Sequence, residues 1–66
     1  MNAEVIGTWA GQVWNALNES GKLTVKGLKK ATKLKEKEWY AALGWLAREG
    51  KVSMYEVDAD IEVVLL

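Results

Sequence analysis

Neither cysteine nor histidine occurs anywhere in this chain of 66 residues. A domain so short buries only about 60% of the surface its unfolded chain exposes, so its core alone is marginal. Chains of this size commonly add a disulfide, a metal or a partner subunit. Without thiols, no disulfide and no thiolate metal site can form. Self-association is the device that remains. The same two absences remove the usual catalytic triads and the commonest general base. The rest of the composition is that of a folded domain: half the residues are apolar, 27% are charged and four are Trp. The chain reads as one domain over residues 1–66, not an enzyme, with no cofactor and no metal.

Hydrophobic periodicity sets the order of elements. Residues 3–19 read as a helix, with Asn2 as N-cap and Glu4 in the first turn, where a negative charge suits the helix dipole. Val5, Ile6, Trp9, Val13, Ala16 and Leu17 form its apolar face, and Gly21 ends it. Lys22-Leu23-Thr24 is too short for a helix and reads as a strand. Thr24 caps a second helix, which points Val25, Leu28 and Ala31 inward and Lys26, Lys29 and Lys30 outward. Thr32-Lys33-Leu34 is a three-residue connection. A third helix spans 35–49, with Trp39, Ala42, Leu43 and Leu46 on one face. From Lys51 the period drops to two. Residues 52–57 and 61–66 read as strands of a hairpin, joined by Asp58-Ala59-Asp60. The expected core centres on Trp9, Trp39, Leu43 and Leu46. Around them lie Val5, Ile6, Val13, Leu17, Val25, Leu28, Leu34, Val52 and Met54.

This order, and the run Ala42-Leu43-Gly44-Trp45-Leu46-Ala47-Arg48-Glu49-Gly50-Lys51-Val52, resembles a winged helix-turn-helix domain. In that superfamily a leucine-rich recognition helix closes on a charged pair, a glycine and the first wing strand. The spacing of Leu23, Thr24, Val25, Leu28, Ala31, Leu34 and Trp39 also looks like its core. The chain is most similar to short, stand-alone bacterial winged-helix proteins of uncharacterised function. The resemblance implies an α+β fold of three helices, a short strand and a C-terminal β-hairpin wing. It also implies a DNA-binding or transcription-associated role.

Charge is arranged in three blocks that sum to zero. Residues 1–19 carry Glu4 and Glu19. Residues 20–38 carry seven lysines against Glu36 and Glu38, and residues 39–66 return to a net −3. Lys26, Lys29, Lys30 and Lys33, continued by Lys35 and Lys37, form a one-sign stripe of the kind that neutralises phosphates. Tyr40 can add a phosphate contact. The third helix offers no Asn or Gln, and no Arg in its N-terminal half, so bidentate base reading is absent there. Any contact with double-stranded DNA is expected to be weak and carried by lysines. The wing argues for a rival role. Glu56, Asp58, Asp60 and Glu62 repel phosphate and suit a basic protein partner. Asp58, Asp60 and Glu62 also fall at the first ligand positions of a calcium loop, but Val63 stands where that loop requires glycine.

The first helix carries a second anomaly. Ala3, Gly7, Ala10, Gly11, Trp14 and Asn18 fall opposite its apolar face, where a solvated helix would carry Lys and Glu. Small residues let helices approach closely, and Trp is favoured at interfaces. This face, with Trp45 beside it, is the expected homodimer contact. No apolar run approaches the roughly 20 residues of a membrane span, and no basic, apolar leader opens the chain. A cytoplasmic protein is expected.

Overall fold

The computed structural model describes residues 1–66 in the order α1 (Ala3–Ser20), β1 (Lys22–Thr24), α2 (Val25–Thr32), α3 (Glu36–Arg48), β2 (Val52–Val57) and β3 (Asp60–Leu65). Local chemistry sets most of these boundaries. The Asn2 side-chain oxygen accepts from the Val5 N–H at 2.9 Å, which starts α1. Gly21 ends it at φ 84, donating its N–H to the Leu17 carbonyl at 2.7 Å. Thr24 closes β1 and caps α2, its hydroxyl accepting from the Gly27 N–H at 3.1 Å. Lys33 ends α2 in the left-handed region at φ 60, with its N–H on the Lys29 carbonyl. The helix-turn-helix connection is therefore Lys33-Leu34-Lys35, one residue later than the periodicity predicts. At its far end the Glu38 carboxylate accepts from the Lys35 N–H at 2.8 Å.

The three strands form one antiparallel sheet in the order β1-β3-β2. The hairpin's second strand is thus the central one, and β1 extends the wing on the side away from β2. Leu23, Val63 and Met54 form one row across the sheet. Val63, at the middle of that row, is fully buried. Asp60 belongs to β3, paired with Val57, so the turn is Asp58-Ala59 alone.

One core joins the layers: Ala10, Val13 and Leu17 of α1, Leu28 of α2, Trp39, Ala42, Leu43 and Leu46 of α3, and Val52 and Val63 of the sheet. Six expectations of burial change. Val5 and Ile6 are half-buried and stand outside the core cluster. Trp9 is only half-buried and flanks the core, because α1 buries the line Ala10–Val13–Leu17. Met54 is 41% exposed: its row faces the core, but β2 is the sheet edge and nothing lies beyond it. Ala31 points to solvent. Ala10, expected on the outer face of α1, is 3% exposed, because α3 settles against this flank, where the Trp45 ring lies beside Gly7.

Candidate nucleic-acid interface

The caps that start α2 and α3 fix where the lysines stand. Lys26, Lys29, Lys30, Lys33, Lys35 and Lys37 are all exposed. Lys26 and Lys29 line a groove of about 480 Å³ with Glu36, Trp39 and Tyr40 of α3 and Ala59 and Asp60 of the wing. Lys30 lies elsewhere on α2, Lys33 in its C-cap, and Lys35 and Lys37 at the start of α3. The stripe is therefore a belt around the helix-turn-helix corner rather than one flat face. Tyr40 is 54% exposed and leans on the buried Trp39, with ring centroids 3.9 Å apart. The Trp39 Nε1 is buried without an acceptor.

The wing meets this corner in an unexpected way. The Asp60 carboxylate accepts from the Lys26 N–H at 3.4 Å and from the Ile61 N–H at 2.7 Å. It thus faces the N-terminus of α2, where the helix dipole favours an anion. Asp60 is not a free tip charge, whereas Asp58 remains exposed in the turn at φ 54. Glu62, half-buried, faces Lys22 at 3.9 Å, the one ion pair in the chain. None of the six corner lysines forms an ion pair within 4 Å, although Glu36 and Asp60 share the groove with Lys26 and Lys29.

The outer line of α3 adds a residue that the charge pattern alone did not single out. Lys37, Ala41, Gly44 and Arg48 recur at four, seven and eleven residues, opposite the buried Trp39, Ala42, Leu43 and Leu46. Lys37, Gly44 and Arg48 are exposed, and a Cβ on Gly44 would meet nothing within 4 Å. The line is smooth in the middle, cationic at both ends and free of carboxylates. Helical spacing from Lys37 was the signal for Arg48. No group of His, Cys, Asp or Glu is placed to hold a metal.

Residues from the anomalous face of α1 meet at a second site. Gly7, Ala10, Gly11, Trp14 and Trp45 line one groove of about 420 Å³ between α1 and α3. Asn15, Leu46, Glu49 and Lys51 complete it. Ala3 and Asn18 lie outside it. Glu49 and Lys51 were not foreseen here; they arrive because Gly50, at φ 70, turns the chain from α3 into β2 beside α1.

A helix-turn-helix corner followed by a hairpin that folds back onto α2, over a sheet completed by β1, defines a winged helix-turn-helix domain. The chain belongs to the winged helix-turn-helix domain family DUF2582, whose sequence profile matches residues 1–65. It is similar to protein BT2368 from Bacteroides thetaiotaomicron, known from a solution NMR structure. The two share 35% sequence identity and a TM-score of 0.86 over 98% of this chain and 79% of that one. A search of curated proteins gave no significant match. No helix is long and apolar enough to cross a membrane.

Proposed function

We propose that this domain is a non-catalytic DNA-contacting module that works as a homodimer in the cytoplasm. The corner lysines hold phosphates, and the outer line of α3 lies along the major groove. The observation that carries the reading is the unpaired state of the cations. Lys26, Lys29, Lys30, Lys33, Lys35, Lys37 and Arg48 are all exposed, while the chain's one ion pair joins Lys22 to Glu62. Lysine acts on phosphate as a point charge and reaches at most a guanine edge, as Lys37 can, and fork-like bidentate recognition from this surface rests on Arg48 alone. Binding is therefore weak, salt-sensitive and poorly selective. Tyr40 contributes a hydroxyl at the rim.

Fluorescence anisotropy with a labelled duplex at low salt tests this. Lys29→Glu combined with Lys30→Glu abolishes binding, and Asp58→Lys tightens it. Absence of binding at about 20 mM salt refutes DNA contact. It would instead favour a protein-interaction role in which Glu56 and Asp58 of the wing meet a basic partner.

A further inference from the structure

The groove between α1 and α3 has features that the protomer itself does not use. Trp14 and Trp45 are each 37% exposed along it. Gly11 sits inside α1, where glycine weakens a helix, yet a Cβ there would meet nothing within 4 Å. The protomer's own packing gives no reason for glycine at that position. A surface that approaches closely from outside does. Glu49 and Lys51 both line the groove, both are exposed, and neither is ion-paired within the chain.

We propose that a second copy of this chain docks in the groove. Trp14 of each protomer lies across Gly11 of the other, and Glu49 of each faces the partner's Lys51. This rests on the homodimer of the reading above and names its surface. The occupant follows from self-complementarity. A two-fold interface uses the same patch on both subunits, so the patch must hold both knob and hole, and both signs of charge. This one does: an indole beside an open glycine, and a carboxylate beside an ammonium. A groove of about 420 Å³ is compact, so a two-fold axis through it brings each lining residue near its symmetry mate. The corner lysines stay free, while Arg48, one turn of α3 from Trp45 and next to Glu49, borders the groove. Trp45 lies eight residues beyond Lys37, about 12 Å along the helix axis, and the lysines of α2 do not line the groove.

Sedimentation equilibrium on the full chain tests the arrangement. The wild-type chain is expected to be dimeric at about 100 μM. Gly11→Gln, which the protomer accommodates, weakens association at least about tenfold with an unchanged helical circular dichroism signal. Glu49→Lys and Lys51→Glu each weaken it about tenfold, because each turns attraction into repulsion at both symmetric positions. Mixing the two variants in equal amounts restores association, since opposite charges then face each other across the axis. An interaction within one chain predicts no such rescue. A dimer indifferent to Gly11→Gln and to both reversals overturns this surface and leaves the homodimer standing. Rescue absent on mixing overturns the Glu49–Lys51 pairing. A wild-type chain monomeric at about 1 mM overturns the surface and the homodimer together.

Discussion

Lys33 holds the left-handed conformation at φ 60 that ends α2. A Cβ there crowds the carbonyl, and glycine removes the clash. After allowing for glycine's greater unfolded-state freedom, Lys33→Gly is expected to stabilise the domain by about 0.5–1 kcal/mol. The same change removes one corner cation. Thermal melting should therefore rise while DNA affinity falls, and a fall in both would show that the Lys33 side chain packs. Lys35 offers a parallel case. It occupies the N-cap of α3, and Glu38 already accepts its N–H, but lysine has no acceptor to return to the helix. Lys35→Ser completes the reciprocal pair and should add about 1 kcal/mol, read as a rise of several degrees in Tm. Both sites show how far stability has been left unoptimised where a lysine suits the proposed surface.

At the scale of elements, α3 fixes the core. Trp39 is 3% exposed and is packed with Leu43 and Leu46 in the cluster shared by all three layers. Trp39→Ala should cost about 3–5 kcal/mol, enough to unfold most of the population of so small a domain. Trp39→Phe should cost far less, because it also removes an indole N–H that is buried without a partner. Equal melting losses for the two variants would contradict this packing. Asp60 links the wing to α2. Asp60→Ala should destabilise by about 0.5–1 kcal/mol through loss of a carboxylate at a helix N-terminus, so a reversal intended to aid DNA binding belongs at Asp58 alone. The element order was legible because each boundary carries its own chemistry: Asn2, Gly21, Thr24 and Gly50 all sit where caps or turns require them. What periodicity could not supply was the neighbour of each face. Ala10 is buried because α3 packs over it, and Met54 is open because β2 has no outer strand. Asp60 likewise looked like a tip charge until the hairpin folded back onto α2. These are long-range facts, and no local pattern encodes them.

At the scale of the whole molecule, the two grooves lie on opposite flanks of α3, one lined by Tyr40 and the other by Trp45. Dimerisation and DNA contact are therefore separable, and salt dependence tells them apart. If three lysines per protomer engage phosphates, a dimer releases about six counterions and log K falls with log salt at a slope near −5. A monomer engaging about three gives a slope near −3. Gly11→Gln is the suitable probe: it is neutral, its Cβ meets no atom within 4 Å, and it lies away from every corner lysine. The expected result is an intact protomer fold, since glycine is replaced in a helix interior by a better helix former, with melting lowered by whatever the dimer contributes. DNA binding should persist at low salt with weaker affinity and the shallower slope. An unchanged slope would mean that DNA engages only one protomer at a time. Complete loss of binding at about 20 mM salt, with the helices intact, would mean instead that the cationic corner of one protomer cannot hold a duplex and that the dimer is the binding unit.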